Sequence, residues 1–147
     1  MTTPTAGEGP SLADALTAEH AAVFAYGVVA AFSNPTRATQ VAADAGGHRA
    51  CRDSLTDMLT AADMAAPAAA AGYTLPFPVV DPITAAQLAA QAEADTAVAW
   101  RAVVEHGETG DTRSLGVKAL TDAAIREADW HVALGTDPVT DPFPGQP

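Results

Sequence analysis

The sequence predicts an all-α protein built as a four-helix bundle, and three observations support this. Apolar residues recur with three-and-four spacing in four separate segments. Alanine supplies 36 of the 147 residues and aromatics only 5%, which suits closely packed helices better than strands needing branched and aromatic side chains. No alternating apolar-polar run of useful length occurs. A chain of this length can form one domain with a proper core.

The elements follow in chain order. Residues 1–10, rich in Thr, Pro and Gly, read as a disordered lead-in. Ser11 is a good N-cap, with Asp14 three residues on, and a first helix should run over 11–33 until Ser33-Asn34-Pro35 stops it. A second helix is expected over 36–64; its weak point is Gly46-Gly47, each costing about 1 kcal/mol relative to Ala. Asp81-Pro82 is a cap followed by a proline at the first helical position, opening a third helix over 82–106. Asp111 or Thr112 opens a fourth, over 112–134, which closes at Leu134-Gly135. Residues 135–147 read as an extended proline-rich tail.

Connection lengths set the topology. The first two helices are joined by two or three residues and the last two by about five, so each pair should be an antiparallel hairpin. The second helix is about 44 Å long at ~1.5 Å per residue. Residues 65–81 can extend to at most ~55 Å, enough to run the full length of the bundle. Two antiparallel hairpins joined by one long crossover form the ferritin-like arrangement. Within the crossover, Phe77 between Pro76 and Pro78 should be a buried anchor, and Phe143 in Pro142-Phe143-Pro144 is expected to dock the same way.

Each predicted helix carries an ionisable residue on its core stripe. In the first, Leu12, Leu16, Glu19, Val23, Tyr26 and Ala30 share a line; in the second, Val41, Ala45, His48, Arg52, Leu55 and Leu59 do. The third gives Ala86, Ala89, Glu93, Ala97, Trp100 and Val104, the fourth Val117, Leu120, Ala124, Glu127, His131 and Leu134. Glu19, His48, Glu93 and Glu127 lie roughly 17–22 Å from their helix ends, near mid-bundle. Buried charges are costly unless paired or bound to metal, so these four should share one polar cluster.

Composition excludes several partners. With 18 acidic against 7 basic residues and a net charge of -11, nucleic acid and anionic membrane surfaces are poor partners. Cys51 is the single cysteine, so no intramolecular disulfide forms; it reads as a small buried residue. Met1–Pro10 has neither a basic nor an apolar signal-peptide region, and the strongest apolar run, Ala21–Phe32, falls short of the ~20 residues of a membrane span. The reading is a soluble cytoplasmic protein. A homodimer is compatible with it, and any other protein partner stays open.

Carboxylates and imidazoles inside a helical bundle are the ligand set for iron, manganese or zinc, so Glu19, His48, Glu93, Glu127 and His131 are the candidate metal residues. Two departures weaken that set. Ala45 stands three before His48, where a bridging carboxylate would be, and Trp130 stands three after Glu127, with the imidazole one later at His131. Asp44, one turn before His48, could add a carboxylate. The competing reading is a metal-free network in which Glu19 and His48 hydrogen-bond each other and Arg49, Arg52 and Asp53 add ion pairs. Tyr26 and Trp100 read as core packing, His20 and His106 as surface or helix-end residues.

Glu19-His20-Ala21-Ala22-Val23-Phe24-Ala25-Tyr26-Gly27, then His48-Arg49-Ala50-Cys51-Arg52-Asp53, then Tyr73-Thr74-Leu75-Pro76-Phe77-Pro78 resemble an actinobacterial ferritin-like family catalogued as a domain of unknown function. The resemblance spans about Ser11 to Leu134. It implies the ferritin-like bundle and an actinobacterial source, and it carries no reaction with it. Two classes of function stay open. One is a non-catalytic module with a structural polar cluster; the other is a metal-binding protein with oxidase or peroxide-handling chemistry.

Overall fold

The computed structural model describes residues 2–147. It contains four α-helices: α1 Gly9–Phe32, α2 Ala38–Ala61, α3 Pro82–His106 and α4 Gly110–Leu134, with a 3-10 turn at Pro35–Arg37 leading into α2. No strand occurs among the described residues. α1 packs against α2 and α3, and α3 against α4.

Contacts at the helix ends give the direction of each helix. Glu8, just before α1, accepts backbone hydrogen bonds from Glu108 and Thr109 in the α3–α4 turn, so the start of α1 meets the end of α3. α3 therefore runs antiparallel to α1 and parallel to α2. Residues 62–81 must span the bundle, and their contacts show it: Met64 packs on the cluster around Leu12, Leu59 and Trp100, while Val79 joins the opposite cluster around Val29, Val41 and Ala86. The molecule is two antiparallel hairpins joined by one long crossover.

The crossover grips the bundle by alternation. Tyr73, Leu75 and Phe77 are half-buried and Val79 is buried, while Thr74, Pro76, Pro78 and Val80 face solvent. Phe77 is thus an anchor but not the deepest one, because an extended segment distributes its inward side chains over every second residue.

Several ends differ from expectation for local reasons. α1 begins at Gly9 with Pro10 in its first turn, and Ser11 lies inside it, its hydroxyl donating back to Glu8 O at 3.0 Å. The lead-in, read from composition as disordered, holds a fully buried Glu8. α2 ends at Ala61 rather than Met64, because Asp63 takes a left-handed conformation (φ 55°) and Met64 N–H returns to Leu59 O. Thr109 caps α4, in place of Asp111 or Thr112, accepting from Thr112 N–H. Asp81 caps α3 as expected and forms a reciprocal box with Thr84, worth about 0.5–2 kcal/mol.

The tail is bent rather than extended, and Phe143 is 62% exposed, so it does not dock. Gly145 docks instead. It is buried at φ 74° against Ala97 O and Arg101 Cβ of α3, where a side chain would collide with backbone. His131 Nδ1 holds Val139 O at 2.9 Å upstream.

α1 is also more apolar than the run Ala21–Phe32 suggests. By length and composition it could cross a membrane, with mean hydropathy 1.4 over its best window. In this fold Leu12, Leu16, Ala22, Tyr26 and Val29 bury that apolar character inside the bundle.

Candidate functional site

The four helices deliver a hydrogen-bonded cluster to mid-bundle. α2 supplies His48, which is fully buried. Its Nδ1 lies 2.6 Å from Glu19 Oε2 on α1 and its Nε2 lies 2.8 Å from Glu93 Oε1 on α3. Glu19 and Glu93 are themselves buried. Trp100 Nε1 donates to the other Glu19 oxygen at 2.6 Å. Glu93 Oε1 also accepts from Tyr26 OH at 2.6 Å and from Arg126 Nε on α4 at 3.0 Å. Trp130 Nε1 extends the chain, donating to Tyr26 OH at 2.9 Å and toward Asp44 Oδ2 at 3.1 Å.

Protonation follows from this geometry. A neutral imidazole has one donor and one lone pair, but both His48 nitrogens face carboxylate oxygens at bonding distance. The imidazolium satisfies both with its two N–H donors. Burial opposes its charge, yet the hydrogen bonds and negative charge of Glu19 and Glu93 outweigh that and push His48 up to about 9. Burial and then Glu93 raise the Tyr26 phenol, which stays protonated and donating. Burial also raises Asp44, with Glu93 adding to the rise and Arg126 offsetting part of it. Formally, two core carboxylates face one imidazolium and one guanidinium.

Glu19, His48 and Glu93 therefore come together as their spacing predicted. Glu127 and His131 do not join them. Glu127 is half-buried, and its one close polar partner is His131 Nε2 at 3.7 Å, one turn on. Burial raises Glu127, His131 lowers it and Asp141 of the tail raises it again, so its surroundings are the tail face of α4.

The cause is a one-residue error in the core stripe of α4. The buried line is Thr112, Gly116, Ala119, Ala123 and Trp130, with Arg126 completing its step. The more apolar line through Leu120 and Ala124 instead lines a groove beneath the tail, with Val139 and Pro144 opposite. One residue on a helix is about 100° of rotation. Small residues won the core because α3 and α4 touch closely: a Cβ on Gly116 would lie 2.9 Å from Val104 Cγ2.

Arg126, Trp130 and Asp44 are the members that the metal-ligand pattern overlooked or left optional. The structural network anticipated a cation from Arg52, but Arg52 pairs with its neighbour Asp53 at 2.8 Å outside the core, and Arg49 is exposed. Two signals point to the true members. Buried indoles and phenols need a polar partner, which ties Trp100, Trp130 and Tyr26 to the carboxylates. Gly46-Gly47 in mid-helix needs a packing reason, and Gly47 has one: a Cβ there would sit 3.2 Å from the Arg126 guanidinium.

As a metal centre this arrangement fits poorly. His48 has no free lone pair, and Arg126 places a cation on one oxygen of the Glu93 carboxylate. Among the described residues no group of three or more His, Cys, Asp or Glu side chains is disposed to hold a metal ion. Cys51 lies half-buried beside the cluster, its thiol pushed up to about 11 by burial and then by Glu19, which makes it a poor nucleophile.

A family profile described as "Domain of unknown function (DUF4439)" matches residues 11–147. The chain belongs to this family. The match takes in the tail as well as the four helices. Among solved structures, the chain resembles the crystal structure of a conserved hypothetical protein, rv2844, from Mycobacterium tuberculosis, with 44% identity and a TM-score of 0.85. That alignment covers 87% of this chain and 97% of the other. No curated protein matches.

Proposed function

We infer that this family member is a ferritin-like bundle whose central Glu19–His48–Glu93–Arg126 cluster is a metal-free structural network, and that the protein is a non-catalytic module. One observation carries this reading: both ring nitrogens of His48 are held by carboxylates, so the ring serves as a buried cation joining α1, α2 and α3. Arg126 does the same for α4. Buried ion networks of this kind fix which residues face one another.

The test is direct. Protein purified without chelator should contain no stoichiometric iron, manganese or zinc by elemental analysis. At pH 7 the His48 ring should show two protonated nitrogens in nitrogen-15 spectra. Stoichiometric metal, or a singly protonated His48, overturns the reading.

A divalent metal (iron, manganese or zinc) is the second reading, favoured by one atom. Glu93 Oε2 is buried and has no hydrogen-bond partner. A cation at that oxygen would lie beside Oε1, which Arg126 and His48 already hold, and would recruit the ring only by taking its proton; the elemental analysis decides between the two.

A further inference from the structure

Beneath the crossover lies a cavity of about 140 Å³ that shares no residue with the polar network. Its walls come from periodic small residues. Ala18, Ala22 and Ala25 line it from α1, Leu88 and Ala92 from α3, and Leu75 closes it from the crossover. Residues Tyr73 to Pro76 bridge these alanines, and Pro76 stiffens the backbone next to Leu75. An apolar cavity of roughly 150 Å³ is large enough to hold a benzene ring.

The mouth is chemically distinct from the walls. Phe24 and Tyr73 stand there with ring centroids 5.0 Å apart. Asp95 lies at the rim, one helical turn beyond Ala92, and Gln91 Nε2 donates to its Oδ1 at 2.8 Å, fixing the carboxylate and leaving its second oxygen free. No basic side chain lines the cavity, and the chain carries a net charge of -11. Aromatic faces and a carboxylate at the entrance of an apolar hole favour one class of guest.

We propose that this cavity binds a small organic ammonium compound, a compact aromatic or branched apolar body carrying a protonated amine. The body fills the space between the alanines of α1 and Leu88, and the ammonium group meets Asp95 beside the Phe24–Tyr73 rings.

The proposal is tested on the full chain by following amide shifts at pH 7 during titration with benzylammonium chloride and, separately, with neutral benzyl alcohol. Benzylammonium should saturate near or below ~1 mM, with shifts centred on Ala22, Leu75 and Ala92. Benzyl alcohol should bind about two- to fivefold more weakly, the scale of one exposed ion pair. Asp95→Asn, a surface change, should erase that preference. Ala21→Leu, at a half-buried lining position, should abolish binding of both while amide shifts remote from the cavity keep their wild-type values. Absence of saturable shifts, equal affinity of the two probes for the wild-type chain, or binding that survives Ala21→Leu each overturns the proposal.

Discussion

The bundle has two core halves that are built differently. One half is leucine-rich: Leu12 and Leu16 of α1 meet Leu55 and Leu59 of α2, with Trp100 and Val103 of α3 and Ala119 of α4. The other is alanine-rich: Ala25, Ala85, Ala86 and Ala89 let the helices approach, and the remaining volume is filled by Tyr26, Trp130 and the crossover residues Leu75, Phe77 and Val79. Between them lies the layer of Glu19, His48 and Glu93. The buried side chains of the leucine half all come from the helices, and Met64 and Ala66 of the crossover only cover it in part. The alanine half needs a segment from outside the helices, so its stability depends on where that segment lands.

The largest expected effect comes from breaking the joint between the halves. His48→Ala leaves Glu19 and Glu93 as buried charges facing an empty space, and chemical denaturation should show a loss of about 3–5 kcal/mol. A loss under about 1 kcal/mol would mean that the two halves stand without the polar layer. Next comes Leu55→Ala in the leucine half, which should cost about 2–5 kcal/mol by the same measurement, since the residue is fully buried.

Raising the pH weakens the same joint without mutation. His48 has a folded pKa of about 9 against ~6.5 when unfolded, so its contribution is fully present below pH ~6.5 and is lost as pH rises through about 9. Over that window stability should fall by on the order of 3 kcal/mol, and His48→Gln should flatten the profile. A wild-type profile that stays flat over the same window would show that the ring is neutral in the folded protein.

Phe77→Ala tests the alanine half. Because Phe77 is only half-buried and shares its anchoring with Leu75 and Val79, the expected loss is about 1–3 kcal/mol, below that of Leu55→Ala. A larger loss than Leu55→Ala would reverse the comparison. The smallest effect concerns the two helical glycines. Gly46→Ala meets nothing closer than Arg49 at 4.0 Å and should stabilise α2 by about 0.5–1 kcal/mol. Gly47→Ala should gain less or lose, because Arg126 must shift. Equal gains in paired melting curves would deny Gly47 its packing role.

Much of this is legible in the sequence. The core face of α2 is legible because Val41, Leu55 and Leu59 leave only one face for the core and His48 falls on it, although Arg52 on the same line stays outside and the helix stops at Ala61. The site was legible for the three residues whose helices have an unambiguous apolar face. It was not legible on α4, where Val117, Leu120 and Ala124 form the more hydrophobic line and Gly116, Ala119 and Ala123 the buried one. Apolar content ranks the two faces the wrong way when close helix contact selects for small side chains. Val117, on the expected core line, is 51% exposed.

Glu8 shows a different limit. Its buried carboxylate accepts from Thr5 N–H, Glu108 N–H and Thr109 N–H. Burial alone would raise its pKa, but these hydrogen bonds lower it. No local pattern pairs positions about a hundred residues apart, so composition assigned this clamp to a disordered lead-in. Phe143 and Gly145 divide in the same way. The bulky residue looked like the anchor, yet the tail approaches α3 so closely that only a glycine fits.

The sequence by itself determined the number of helices, the Asp81 start signal and the Gly135 stop signal, the long crossover, and the meeting of Glu19, His48 and Glu93. All of these follow from spacing along the chain and from reach, which are local or nearly local quantities. Only the tertiary structure decided the rotation of α4, and with it that Arg126 and Trp130 rather than Glu127 and His131 enter the core. A helix can turn about its axis without breaking a single internal hydrogen bond. The face it buries is therefore set by the shape of its neighbours, here the close contact of Gly116 with Val104 and the opening that Gly47 leaves for Arg126.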